Sequence, residues 1–415
     1  MLNEGIGTAI AVRTCSATAD AEGSSPSFDL SPEQSRAVPT EIAATALVIQ
    51  FEKFGREYRV ELPLALDASP SIKTDDYQSI PAAVSRKRIA AQRLCRKQID
   101  QHGNVIGSSR QMLEVFEQIQ HANAIEGLPA VLLLGEAGVG KTHIAELIHK
   151  SSTRTAKPFH DVNAGSGGGD INIQRGEWIG YGKNHGIQHI DKNGHPGHLI
   201  KAHGGSLFVD EFASLSLDLQ IVFLSVLDKR AIQKVGGESF MPDVRCIFAT
   251  NANVNEAIAN GTLRKDLLDR IPVRFHIPPL RERRSDILQL ARYFAGEHEI
   301  AHQCLIALLR YDWPGNVREL KSKVVAAVAR MKGDGKSTLN VTHFDLPGES
   351  AGVVNGLGEE ACQRELWTLA DEIARNEGFE RGTGLQHRAG EIMGVGDSQA
   401  SKMFQAFGLS PAASA

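Results

Sequence analysis

Between about residues 104 and 275 the chain alternates short unbroken apolar runs with longer stretches whose apolar positions recur every three or four residues. "AVLLLG", "GSLFVDE" and "VRCIFATN" are of the first kind, "THIAELIHK" and "LQIVFLSVLDK" of the second. A strand apolar at every position is buried on both faces, which calls for a parallel sheet covered by helices on either side. From "PPLRERRSDILQLARYFAGEH" through "NVRELKSKVVAAVARMK" only the helical period remains. We therefore expect an α/β domain over 104–275, followed by a subdomain of helices alone over 276–345. A Gly-rich break, "GESAGVVNGLGEE", and one further helix fill 346–380, and a compact helical end occupies 381–415.

Upstream the period changes to two. "TALVIQFEKFGREYRVELPLAL" alternates on either side of "KFGRE", a hairpin signature around Gly55 within a segment 41–103. An isolated hairpin is marginal in water, so this one needs something to dock on. From Ser85 to Asp100 six basic residues accompany Ile89, Leu94 and Ile99 at near-helical spacing. That is a basic amphipathic helix, readable as a solvated linker or as a nucleic-acid or partner contact. Residues 1–40 are rich in Ser, Ala, Asp and Glu, bury too little apolar surface to offset ordering entropy, and read as a disordered arm.

Charge narrows the classes. With 45 Lys and Arg against 49 Asp and Glu, the net charge of −4 excludes a general nucleic-acid coat, so any such contact is local. No run approaches the ~18 to 20 apolar residues of a membrane span, and the start lacks a basic stretch leading into an apolar one. No membrane partner is expected, and the reading is cytoplasmic. The five cysteines are scattered and odd in number without a CxxC pair, which points to free thiols.

The chemistry concentrates in two places. "LLLGEAGVGKT" places Gly135, Glu136, Ala137, Gly138, Val139, Gly140, Lys141 and Thr142 directly after a strand and before a helix. Glycines let backbone N–H groups curl round phosphates, Lys141 reaches the β and γ oxygens of ATP, and the Thr142 hydroxyl suits Mg²⁺. Some seventy residues on, "GGSLFVDE" is an apolar strand ending in two carboxylates. Asp210 suits Mg²⁺ and Glu211 suits the polarisation of an attacking water.

Further motifs follow in order: "VIGSS", "KVGGESFMPDVRCIFATN", "GTLRKDLLDRI", "PPLRERRSDI" and "WPGNVREL". Over about residues 105–318 this series resembles the AAA+ ATPase domain of bacterial enhancer-binding proteins, the activators that remodel RNA polymerase carrying sigma-54. The resemblance implies an AAA+ P-loop NTPase fold with a helical lid, a homo-oligomeric ring, and hydrolysis of ATP to ADP and phosphate. It implies that Asn163 in "FHDVNAG" restrains Glu211, and that Asn251, beside Thr250, senses the γ-phosphate. Arg264 and Arg270 would be presented to a neighbouring subunit's nucleotide, and Arg318 would sense phosphate from the lid. No receiver domain is expected ahead of the ATPase.

Two departures stand out. The family carries GAFTGA between the two nucleotide motifs; here "GEWIGYGKNHGIQHIDKNGHPGHLIKAHGG" fills that interval without it. Without GAFTGA, direct work on sigma-54 is put in doubt, and four histidines and five glycines fall within Gly180–His198 instead. The stretch admits three readings: a Gly-hinged loop over 180–203 that touches a protein partner, a zinc-like cluster of His185, His189, His195, His198 and His203, or an inert insertion. In the lid, "EIAHQCLIA" stands where relatives place a longer helical connection, which shortens one lid helix. The end, "LQHRAGEIMGVGDSQASKMFQAFGL", resembles a Fis-type helix-turn-helix. Ala389, Ile392, Met393, Ala400, Met403 and Phe404 would face inward, leaving Ser398, Gln399, Ser401, Lys402 and Gln405 to meet DNA. Arg381, Arg388 and Lys402 are the cations available for phosphates, a thin supply, and a plain helical cap is the competing reading.

Overall fold

The computed structural model describes residues 105–166, 171–183, 194–346, 358–379 and 383–409. It also describes residues 93–94, 96–97 and 99–101, and the backbone of four strands between residues 37 and 73. Those strands are β1 (Ala37–Ala43), β2 (Ala46–Lys53), β3 (Arg56–Pro63) and β4 (Ser71–Lys73), an antiparallel sheet in the order β1-β2-β3-β4. β2 and β3 pair as the two arms of the expected hairpin, up to Lys53 opposite Arg56, while Gly55 itself lies outside the described residues. The hairpin's docking partner is a strand on each side, and β1 takes residues 37–40 out of the expected arm, the rest of which lies outside the described residues. This sheet belongs to one compact unit, Met1–Arg88, and all that follows to a second, Ile89–Ala415.

The second unit begins in helical turns at Arg93, Leu94, Arg96, Lys97, Ile99 and Asp100, part of the expected basic helix. Ile99 is buried, whereas Leu94 is 57% exposed and Arg93 pairs with Glu391 at 2.9 Å. The α/β domain then runs through α1 (Arg110–Ala124), β5 (Val131–Leu134), α2 (Lys141–Lys150), β6 (Phe159–Asn163), α3 (Ile171–Ile179), α4 (His198–Lys201), β7 (Ser206–Asp210) and α5 (Leu217–Leu227). It closes with β8 (Arg245–Thr250), α6 (Lys265–Asp269) and β9 (Val273–His276). The five strands are all parallel, in the order β9-β5-β8-β7-β6. Alternate residues of the central strands feed two cores, Leu132, Leu207, Val209 and Phe248 on one face and Val131, Leu133, Phe208 and Ile247 on the other. That is the two-sided burial the unbroken apolar runs call for.

The lid comprises α7 (Ser285–Ala295), α8 (His302–Arg310) and α9 (Asn316–Gly333). It is not helical throughout: Glu299–Ile300 pairs in parallel with Thr338–Leu339. Thus part of the short connection "EIAHQCLIA" is strand, and the remainder opens α8. After α10 (Glu359–Asn376) come α11 (Thr383–Met393) and α12 (Asp397–Ala406). These last helices share the lid's core, where Leu305, Trp313, Leu366, Trp367, Ile392 and Phe404 belong to one buried cluster.

A polar hub fixes that arrangement. Arg388, 1% exposed, donates through Nε to Glu377 at 2.6 Å, through Nη1 to Glu391 at 2.9 Å and through Nη2 to the Ser108 carbonyl at 2.8 Å. The Ser285 hydroxyl also donates to Glu377. Asp286, fully buried, accepts from the Ser108 and Ser109 amides and the Ser109 hydroxyl at 2.7–2.8 Å. One set of charges therefore joins the entry to α1, the lid and the C-terminal helices. Arg388 is consequently unavailable to DNA phosphate, against the expectation from sequence, because its guanidinium is spent inside this hub.

The histidine-rich stretch is anchored at both ends. Tyr181 donates its amide to the His195 carbonyl at 2.9 Å, and Gly180 and Gly182 exchange hydrogen bonds with Val235. Residues 184–193, including His185 and His189, lie outside the described residues. Of the remaining histidines, His198 Nδ1 meets His160 Nε2 at 2.8 Å, and His203 Nδ1 accepts from the Asp243 amide. Among the described residues no group of three or more His, Cys, Asp or Glu is arranged to hold a metal.

Two outcomes follow. Arg388→Ala leaves Glu377 buried without its cation, and breaking such a pair costs about 3–5 kcal/mol. Hydrogen-exchange protection in α10 and α11 should fall accordingly, and unchanged protection would refute the hub. Burial, together with His160, Lys201 and His195, holds the His198 imidazole down at about 4, and burial also lowers His160. A base depressed in the fold adds stability above its unfolded value near 6.5 and loses it as pH falls toward about 4. The protection factor of the Tyr181 amide, its exchange corrected for the intrinsic fall with pH, should therefore drop over that window, and His198→Phe should flatten the dependence.

Candidate functional site

The loop from Gly135 to Gly140 joins β5 to α2, and its shape is set by where its carbonyls go. Lys141 Nζ donates to the carbonyls of Gly135 and Glu136 at 2.9 and 3.0 Å. Asn316 Nδ2 donates to that of Ala137 at 3.0 Å, the Arg318 amide to that of Gly138 at 3.2 Å, and Arg283 Nη2 to that of Val139 at 2.7 Å. The C=O and N–H of a trans peptide point in opposite directions, so the amides of residues 136–140 are turned away from these donors. A row of oriented amides at a helix N-terminus makes an anion cradle. Gly138 is required here: at φ +79°, an added Cβ would fall 2.3 Å from the Gly315 carbonyl oxygen, where the lid crosses the loop.

Lys141 is only 8% exposed, and its pKa is lowered, first by burial and also by Arg318, against the opposing pull of Asp210 and Glu211. A buried ammonium in that balance is poised for an anionic ligand. Thr142, next along, is exposed at the start of α2. Asp210 ends β7, which lies between β8 and β6, and Glu211 follows it. Asp210 Oδ1 accepts from the Glu211 amide at 2.9 Å, and Glu211 takes the left-handed conformation at φ 55°, turning its side chain out of the strand. The hydroxyl of Thr142 and the carboxylate of Asp210 are hard oxygen donors of the kind Mg²⁺ takes, beside a lysine that already feels that carboxylate.

Asn163 ends β6 directly opposite Asp210 in the register. Its Oδ1 accepts from the Gly165 amide at 2.7 Å. The Glu211 carboxylate lies over Gly165, since an added Cβ there would sit 1.7 Å from Glu211 Oε2 and 3.1 Å from Asn163 Oδ1. Gly165 thus leaves the space in which the two side chains approach, a role that a lone glycine in "NAGSGGG" does not signal. On β8, Thr250 is buried and its Oγ1 accepts from the Ala252 amide at 3.1 Å, which sets the exposed Asn251 in the turn beyond the strand.

The remaining arginines divide into two groups. Arg318 starts the helix that crosses the loop, and its charge is felt at Lys141. Arg264 and Arg270 flank α6; Arg264 pairs with Asp266 at 2.7 Å and Arg270 with Asp228 at 2.5 Å. Both are about two-fifths exposed, and among the described residues their guanidinium hydrogen bonds go to Asp266 and Asp228 and none to the phosphate loop. Sequence reasoning missed Arg281, Arg283 and Asn316, which lie in "PPLRERR" and "WPGN"; the motifs were visible, but which carbonyls they would hold was not.

At the C-terminal end, Ala400 and Phe404 of α12 are buried, with Phe404 edge-on to Trp367 at 5.8 Å. Ser398, Gln399, Lys402 and Gln405 are exposed and Ser401 is half-buried.

Comparison with known proteins agrees with this geometry. Residues 105–276 match the sigma-54 interaction domain and residues 281–349 the AAA+ ATPase lid domain. The Psp operon transcriptional activator of Escherichia coli is 37% identical over 55% of this chain and 72% of its own length. The nitrogen fixation protein VnfA of Azotobacter vinelandii is 37% identical over 54% of this chain, but this chain spans only 44% of that protein. Among solved structures, NtrX from Brucella abortus with ADP has 25% identity and a TM-score of 0.53, covering 79% of this chain and 74% of that one. The parallel sheet, the lid folded onto the phosphate loop and these matches together place the chain in the family of sigma-54-dependent enhancer-binding proteins, built on an AAA+ domain.

Proposed function

We propose that the chain is an ATP-hydrolysing, DNA-binding transcriptional regulator of bacteria that works in the cytoplasm as a homo-oligomeric ring and remodels a protein partner through residues 180–203. The observation that carries this reading is the convergence of Lys141, Asp210 and Glu211 beneath a lid that contributes Arg318. The NtrX structure with ADP supports a nucleotide as the ligand.

In the reaction, water attacks the γ-phosphorus of ATP, the bond to the β,γ-bridging oxygen breaks, and ADP and phosphate leave. Glu211 accepts the proton of the attacking water, and Asn163 restrains Glu211 until nucleotide is in place. Lys141 and Arg318 neutralise charge on the transferring group, and Asn251 reads the γ-phosphate. Mg²⁺, held by Thr142 and Asp210, would add charge neutralisation when bound. Arg264 and Arg270 serve the neighbouring subunit's nucleotide, their exposed ion pairs with Asp266 and Asp228 being weak enough to exchange for a phosphate.

Ser398, Gln399, Ser401, Lys402 and Gln405 meet DNA. With Arg388 committed to the hub, Lys402 is the main described cation of that face, and the ring supplies affinity by multivalency. The partner is RNA polymerase with sigma-54 or another protein. The second is favoured by the loop's composition, since imidazoles and glycines stand where the family carries GAFTGA.

Glu211→Gln should lower ATP turnover about 10²- to 10⁴-fold while leaving nucleotide binding intact; retained turnover measured by phosphate release would remove Glu211 from the role. Lys402→Ala should reduce the slope of log affinity against log salt by about 1 per bound copy, and an unchanged slope would remove α12 from the DNA face. Open-complex formation by sigma-54 polymerase that depends on ATP and on residues 180–203 would identify the partner, whereas its absence favours another target.

A further inference from the structure

Glu136 lies in the phosphate loop, but its carboxylate faces the lid. Arg281 grips it with both guanidinium ends, Nη2 to Oε1 at 2.5 Å and Nη1 to Oε2 at 2.9 Å, and Asn316 Nδ2 donates to Oε2 at 3.0 Å. The two donors come from opposite ends of the lid's first part: Arg281 from the turn Leu280–Glu282 before α7, Asn316 from the start of α9. A single side chain of the loop therefore ties down both places where the lid touches it.

Asn316 completes the tie. It is fully buried, its Oδ1 accepts from the Leu280 amide at 2.7 Å, and the same Nδ2 that reaches Glu136 also reaches the Ala137 carbonyl. Its φ of 54° lies in the left-handed region, which asparagine tolerates better than most residues. Two residues on, Arg318 places its amide on the Gly138 carbonyl. The position of Arg318 is thus fixed by what holds Asn316. Charge sharpens the point: a carboxylate in a phosphate loop repels the nucleotide unless it is neutralised, and Arg281 both neutralises it and keeps its carboxyl at about 2.

We propose that Glu136, Arg281 and Asn316 form a clasp between the phosphate loop and the lid, in which Glu136 is a positioning residue that sets Arg318 over the nucleotide rather than a ligand of it. The inference rests on the nucleotide site proposed above, although the clasp itself is a contact within the chain. Arg281 and Glu136 are each about two-fifths exposed, so the pair is screened by solvent and its loss shifts the lid equilibrium several-fold rather than abolishing it.

The test uses the full chain and three variants. Glu136→Gln keeps the shape and an acceptor for Asn316 but drops the charge; Arg281→Glu repels Glu136; the double variant Glu136→Arg with Arg281→Glu reverses the pair. Amide exchange at Arg318 without nucleotide reads the clasp directly. Release of fluorescent ADP and the KM and kcat for ATP read its consequence. We expect Glu136→Gln to speed Arg318 exchange and ADP release by about 3- to 10-fold, to raise KM by a similar factor and to lower kcat as Arg318 loses its place over the transferring group, and the reversed pair to recover most of each loss. Exchange and KM equal to the parent in Glu136→Gln, or a reversed pair no better than Arg281→Glu, would overturn the clasp. A parent chain that binds no ADP would overturn the nucleotide reading, and the exchange measurement would still decide whether the clasp exists.

Discussion

The carbonyl oxygens from Gly135 to Val139 are each taken by a donor outside the loop's own backbone, and much of the molecule is arranged around that fact. Lys141 takes the first two, and the lid takes the other three through Asn316, Arg318 and Arg283. An anion cradle needs amides that converge, and amides converge when the opposite ends of their peptides are held apart. The lid is therefore part of the loop's construction as well as a cover. Gly138 belongs to the same constraint, because any side chain there would meet the Gly315 carbonyl and lift the lid.

What the lid touches is passed on by the polar hub. Asp286 caps the entry to α1, Ser285 and Arg388 converge on Glu377, and Arg93 reaches Glu391 from the basic helix. The C-terminal helices are accordingly packed on the lid through a common apolar core and a common set of buried charges, not merely joined to it by the Gly-rich break. A shift of α7 would be felt both at Ser108 and at Arg388. On the opposite side of the sheet order, β6 carries His160 against the root of the histidine-rich stretch and Asn163 beside Glu211, so one edge strand adjoins both loop root and carboxylate.

Legibility in the sequence followed burial. The central strands β5, β7 and β8 are apolar at nearly every position and could be read directly, and the Gly135–Thr142 and Asp210–Glu211 motifs sat at their ends. The edge strands β6 ("FHDVN") and β9 ("VRFH") were not legible, because with one side unpaired they carry polar residues that resemble a loop. The short strand pairing in the lid was hidden for a similar reason, two residues being too few to show a period. Arg388 was misjudged because nothing local distinguishes a cation facing DNA from one buried on Glu377, Glu391 and a carbonyl 280 residues away. Gly165 and Asn316 act through close approach to distant residues, which spacing along the chain does not encode.

The ATP turnover proposed above needs this loop with its lid closed and a neighbour's arginines supplied. Phosphate release measured with ATP and Mg²⁺ over a range of protein concentrations tests it most directly. The rate per subunit is expected to rise as the ring assembles and to vanish in Lys141→Ala. A rate per subunit independent of concentration, or one that survives Lys141→Ala, would contradict it.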